Sequence, residues 1–209
     1  MNKIMGTGMK TYRIGMVGAG TVGSGVYELI MGRLGGSSSQ ISAKGALSPS
    51  FPVHNITSNP SFGRSIITKI CVRDLSKPRS FLVDENVTQI VTDVESIIQD
   101  DSIDVVVEVM GGTGIARKVV LDSLKRGKSV VTANKALIAE NLDEIRQIVL
   151  NSNGKVRFAY EASVCGGIPI IQVLQNSYVG DVVHEVMVRL YGYNIIRLDF
   201  RKTHFLLLV

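Results

Sequence analysis

The sequence predicts an α/β fold, a doubly wound and mostly parallel sheet. Two observations carry this: short apolar runs alternate with segments of helical spacing, and a glycine-rich turn joins the first run to the first helix. Runs that are apolar throughout suit strands buried on both faces, which is the condition of a parallel sheet covered by helices. Composition agrees, since 209 residues with 45% hydrophobic and 20% charged side chains can bury a core in one or two domains.

The first strand is expected over 12–17 (YRIGMV), with glycines following from Gly18 to Gly23. A helix is expected over 21–34, where Val22, Val26, Leu29 and Ile30 stand at helical spacing. Residues 35–63 are rich in Ser, Gly, Pro and Asn without periodicity and read as a surface insertion. Strands resume at 65–72 (SIITKICV), weakly at 87–91, and clearly at 103–110 (IDVVVEVM). Helices are expected over 114–126 and 140–151, with strands at 129–132 and 156–160.

Several functional classes are disfavoured at once. No apolar run approaches the roughly 18 residues that a membrane-spanning helix needs. The opening MNKIMGTGMKTYRIG has no apolar core of a secretory signal, so a cytoplasmic setting is expected. Two cysteines, Cys71 and Cys165, make no disulfide framework. The formal charge of +5 comes from scattered Lys and Arg with no basic stripe among aromatics, so no nucleic-acid partner is expected.

GAGTVG, residues 18–23, matches the G-x-G-x-x-G pattern in the context that gives it a mechanism, after a strand and at the start of a helix. Gly18 permits the tight turn, Gly20 lets backbone amides approach a pyrophosphate, and Gly23 allows helix and strand to pack closely. Thr21 and Val22 complete the turn, and the phosphates would rest on the helix N-terminus. The plainer reading is a glycine turn needed only for packing. With the motif in place, the fold class is Rossmann-like.

An acidic residue past the second strand ordinarily grips the adenosine ribose of such a cofactor. Here that strand ends Val72-Arg73-Asp74, with Lys77 and Arg79 close behind. Arg73 favours a 2′-phosphate and hence NADP, Asp74 keeps NAD open, and a merely solvated basic loop is the plainer alternative. Further along, Gly111 and its small neighbours follow the strand at 103–110, where a nicotinamide ribose would lie. Glu108, a carboxylate in an apolar run, is expected to be paired within the fold. The next strand delivers Thr132, Asn134 and Lys135 to a sheet edge of the kind where open α/β sheets bind ligands. Lys135 could orient a polar substrate or relay a proton, or could simply be a surface residue at a helix start.

GAGTVG, VVVEVMGG, GKSVVTANKALIAE and YEASVCGGIPII together resemble the homoserine dehydrogenase family over about 12–185, interrupted by the insertion. The resemblance implies NAD(P)-dependent interconversion of L-homoserine and L-aspartate 4-semialdehyde, on the route to threonine, methionine and isoleucine. It implies a catalytic role for Lys135 and a homodimer for the full-length form. It also implies a monovalent cation, sodium, held by Glu161 and the carbonyls of Val164, Gly166 and Ile168; by itself EASVCGGIP reads as a strand-to-helix turn. The domains expected are a nucleotide-binding domain over 1–160, the start of an α+β substrate and dimerisation domain over 161–186, and an atypical tail over 187–209.

That tail, MVRLYGYNIIRLDFRKTHFLLLV, departs from the family pattern; a lineage-specific ending is the plainer explanation, and a change of reading frame or splice is the favoured one. On that reading the strand near 181–188 lacks a sheet partner, and FLLLV adds an apolar end. The chain would then bind nucleotide while doing little chemistry. The alternative function is a non-catalytic nucleotide-binding or oligomer-forming fragment.

Overall fold

The computed structural model describes residues 10–31, 64–79, 81–190 and 194–199, with side chains described as far as His184. The insertion at 35–63, the end of the first helix at 32–34 and the FLLLV segment lie outside the described residues. The chain divides into two compact units, Met1–Val109 and Met110–Val209.

The first unit runs β1 (Thr11–Val17), α1 (Thr21–Met31), β2 (Arg64–Cys71), β3 (Gln89–Val91), α2 (Glu95–Ile98) and β4 (Val105–Glu108). β1 pairs in parallel with both β2 and β4, and β2 with β3. Between β1 and β2 the register slips, from Ile14 opposite Ile67 to Gly15 opposite Lys69. The unpaired residue, Thr68, is buried and points its hydroxyl at the Ile14 carbonyl, 3.4 Å away, so the slip does not strand that oxygen. Ile14, Met16, Tyr27, Ile67, Ile70, Phe81 and Val107 form the core. Tyr27 stacks obliquely on Phe81 with ring centroids 4.9 Å apart. Its phenol oxygen accepts the Asp84 N–H at 2.9 Å, so this aromatic buries its ring while its polar end is satisfied.

The second unit runs α3 (Gly114–Lys125), β5 (Ser129–Thr132), α4 (Lys135–Asn151) and β6 (Phe158–Ala159), then a 3-10 turn at Glu161–Ser163. β5 and β6 are parallel, Val130 facing Phe158. A single turn α5 (Ile170–Gln172) leads into π-helical winding at Val173–Ser177, and β7 (Glu185–Leu190) then pairs antiparallel with β8 (Asn194–Asp199). The strand expected to lack a partner is therefore paired, by residues of the atypical tail itself.

The hydrogen-bonded order of the parallel strands is β3-β2-β1-β4 within the first unit, as in the first half of doubly wound dinucleotide-binding sheets, and β5-β6 within the second. The α/β expectation holds, with differences at single elements. α4 starts at Lys135 instead of 140, because Asn134 caps it. α2 was not foreseen, since four residues carry no readable period.

Candidate functional site

The glycine turn lies in the first unit, and its three glycines do three different jobs. Gly18 has φ of 109°, a region that L side chains rarely enter, and its N–H donates to the Cys71 carbonyl at 3.0 Å. That bond fixes the turn to the end of β2. A Cβ at Gly23 would collide with the backbone oxygen of Gly18, so here helix and turn touch with no room for a methyl. Gly20 is the opposite case: it is exposed, and a Cβ there would meet nothing within 4 Å. Packing explains Gly23 and leaves Gly20 unexplained. Thr21 and Val22 open α1 and are exposed, and α1 has no acidic residue in its first turn. The first N–H groups of a helix have no intrahelical acceptors and carry the positive end of its dipole, so this turn offers donors to an anion.

Beyond β2, Arg73 is exposed. Asp74 beside it is engaged by its own loop: Ser76 donates to Asp74 Oδ1 from both its N–H (2.8 Å) and its hydroxyl (2.7 Å). Arg79 donates to the Asp74 carbonyl at 3.1 Å. The Ser76 hydroxyl above all, then its N–H, holds the Asp74 carboxyl below its ordinary value. Sequence reasoning passed over Ser76, although Asp followed two residues later by Ser signals a side-chain-closed turn. Cys71, at the end of β2, is buried, and burial pushes its thiol up, as does Asp93; this is the environment of an inert cysteine.

In the second unit, Gly111 and Gly112 both take left-handed conformations, at φ of 74° and 76°. The loop they form is tied to the start of α4 by Asn134. Its amide nitrogen donates to the Gly112 carbonyl at 2.6 Å, while its amide oxygen accepts the Leu137 N–H at 3.1 Å as the helix cap. The Thr132 hydroxyl accepts the Asn134 N–H at 3.0 Å, so this buried threonine sets the end of β5. Lys135 is the first residue of α4 and is exposed. An ammonium there opposes the helix dipole by roughly 0.3–1 kcal/mol, and no acidic residue in the first turn offsets it. Glu108, wholly buried at the end of β4, has a partner within the fold as expected.

The segment read as a cation site is joined to β5, since the Ser163 hydroxyl donates to the Thr132 carbonyl at 3.0 Å. Glu161 directs its two carboxylate oxygens to the N–H groups of Ile171 (2.9 Å) and Gln172 (2.8 Å), capping α5. Val164 is buried, Cys165 and Gly166 turn the backbone with φ of 54° and 60°, and Ile168 is exposed with its carbonyl accepting the Ile170 N–H. Tyr160 stacks on Phe158, and burial and then Glu161 raise its phenol above the ordinary value. Among the described residues no three His, Cys, Asp or Glu side chains gather as a metal cluster, and no helix is long and apolar enough to cross a membrane. The structure thus groups the residues singled out in sequence into two sets, Gly18–Arg73 in one unit and Gly111–Ile168 in the other.

Residues 18–161 match the family model described as homoserine dehydrogenase, NAD binding domain. The chain is 35% identical over 177 residues to a homoserine dehydrogenase of Synechocystis, which covers 85% of this chain and 35% of that protein. It is 34% identical over 179 residues to that of Bacillus subtilis, covering 86% and 36%. A crystal structure of a homoserine dehydrogenase from Thiobacillus denitrificans superposes with a TM-score of 0.62 at 28% identity, over 83% of this chain and 34% of that one. One from S. aureus gives 0.58 at 32% identity, over 74% and 34%. The chain spans about a third of the length of these curated relatives.

Proposed function

Since this chain belongs to the homoserine dehydrogenase family, we propose that it binds NADP(H) or NAD(H) at the glycine turn and serves the interconversion of L-homoserine and L-aspartate 4-semialdehyde. Threonine, methionine and isoleucine synthesis would be its setting, in the cytoplasm, with a homodimer as the working form. The observation that carries the nucleotide part is the contrast within one motif: Gly23 is glycine because the fold fills the space, and Gly20 is glycine where the fold leaves it open.

When bound, the dinucleotide would accept a hydride from the alcohol or return it to the aldehyde. Gly18, its own N–H bonded to the Cys71 carbonyl, would shape the turn, and Gly20, Thr21, Val22 and Gly23 would hold the pyrophosphate on backbone donors. Arg73 would meet the adenosine ribose, and Gly111 and Thr132 would shape the nicotinamide end. Lys135 would orient a polar substrate or hold the proton that the substrate oxygen exchanges. Its position at a helix start, where the chain itself supplies no acidic partner in the first turn, supports a ligand-directed role.

For a monovalent cation, the residues present fit in donor chemistry. Glu161 and the carbonyls of Val164, Gly166 and Ile168 are all oxygen donors with a single carboxylate, a set matched to a hard ion of low charge. Each Glu161 oxygen accepts one backbone N–H and keeps lone-pair capacity beyond it. A cation there would supply fixed positive charge to the 161–168 turn.

The test is titration with NADPH and NADH of the chain and of Gly20→Ala. Because the added methyl meets nothing in the protein, the melting temperature should hold while affinity falls roughly tenfold or more, about 1.4 kcal/mol. Equal affinity in the two proteins would remove the glycine turn as the site.

A further inference from the structure

Cofactor choice at the loop after β2 depends on which group faces the ribose, and the bonds of that loop bear on it directly. NAD is ordinarily recognised by a carboxylate that accepts hydrogen bonds from the ribose hydroxyls, and NADP by a cation that meets the 2′-phosphate. Both groups are present side by side, Arg73 and Asp74. The first of them is exposed, while the second is folded onto its own loop by two hydrogen bonds from Ser76 to a single oxygen and by Arg79 on its carbonyl. The Gly18 N–H bond to the Cys71 carbonyl keeps this loop joined to the glycine turn.

Resting on the nucleotide-binding reading, we infer that Ser76 is a positioning residue for cofactor choice: by holding one oxygen of Asp74 on the loop it withholds the two-oxygen grip on the ribose diol that favours NAD, and leaves Arg73 to receive a 2′-phosphate. With one oxygen already accepting two short bonds, the Asp74 carboxylate can offer a ribose only the other, so gripping both hydroxyls of the diol requires breaking them. The Ser76 hydroxyl bond is the one of these that a side-chain substitution can delete without touching the backbone.

The experiment measures dissociation constants of NADPH and NADH for the unmutated chain, Ser76→Ala, Asp74→Ala and the double variant. The unmutated chain should favour NADPH by about tenfold or more, and Ser76→Ala should tighten NADH by several-fold to about tenfold. Asp74→Ala alone should leave NADH binding nearly unchanged, and in the double variant the gain made by Ser76→Ala should vanish, which shows that it acts through Asp74. An unmoved NADPH to NADH ratio in Ser76→Ala overturns the inference. So does an equal loss of both nucleotides, or a loss confined to NADPH, which would make Ser76 a direct phosphate contact. NADH binding weakened by Asp74→Ala alone also overturns it, because Asp74 would then already serve the ribose. If the unmutated chain binds neither nucleotide, the cofactor reading falls and takes this inference with it, whereas binding with an unmoved ratio removes the inference alone.

Discussion

Gly23 sits where the first turn of α1 meets the backbone of Gly18, and a methyl added there has no flexible neighbour to push aside. Gly23→Ala should therefore lower stability by about 1–3 kcal/mol, the usual range for overpacking, seen as a lower urea midpoint at unchanged slope. A midpoint equal to that of the unmutated chain would show that the turn yields. The same methyl at Gly20 should be silent in that measurement, so two glycines of one motif separate stability from binding. The packing role of Gly23 was legible in the sequence, because a glycine requirement is local and the strand-turn-helix context is visible in the letters. Asp74 was legible only as a residue type. Its availability depends on a hydroxyl two residues away, and that bond becomes visible only when the loop conformation is known.

At the level of elements, strands and long helices were readable to within a few residues, and the misreadings have specific causes. The period of α4 was clear only from Glu140 onward, while its true start is set by the Asn134 cap, a hydrogen bond instead of a pattern. α2 was too short to show a period, yet it is tied to β2 by a definite link. Lys69 Nζ lies 2.7 Å from Asp100 Oδ2, just past α2, and donates to the Ser96 carbonyl within it at 3.0 Å. Lys69 above all, with Ser102, holds the Asp100 carboxyl far below the carboxylate range. A carboxyl whose folded value is depressed adds stability that is complete above its unfolded value of about 3.9 and is lost as pH falls below it toward the folded value. Asp100→Asn should cost on the order of 1 kcal/mol at neutral pH and should flatten the fall of the urea midpoint between about pH 5 and 2. Parallel pH profiles for the two proteins would show that this pair contributes nothing to acid sensitivity.

For the molecule as a whole, a ligand that binds only the folded chain stabilises it by mass action. NADPH at a hundred times its dissociation constant should raise unfolding free energy by about 2.7 kcal/mol, read as a higher melting temperature, and a tenfold loss of affinity in Gly20→Ala should cut that gain at the same concentration to about 1.4 kcal/mol. No shift in the unmutated chain would refute cofactor binding in solution. The doubly wound, mostly parallel sheet was legible because alternating strand and helix patterns leave few right-handed topologies. The pairing of β7 with β8 was not, because the tail sequence follows no family pattern and a strand's partner is a non-local property. Asn134 serves two segments with a single side chain, since one amide group closes the Gly112 loop with its nitrogen and the first turn of α4 with its oxygen. Two segments 22 residues apart in the chain are thereby made cooperative: neither can open without loosening the other, the ordering entropy is incurred once for both, and Lys135 inherits the rigidity of a loop far upstream of it.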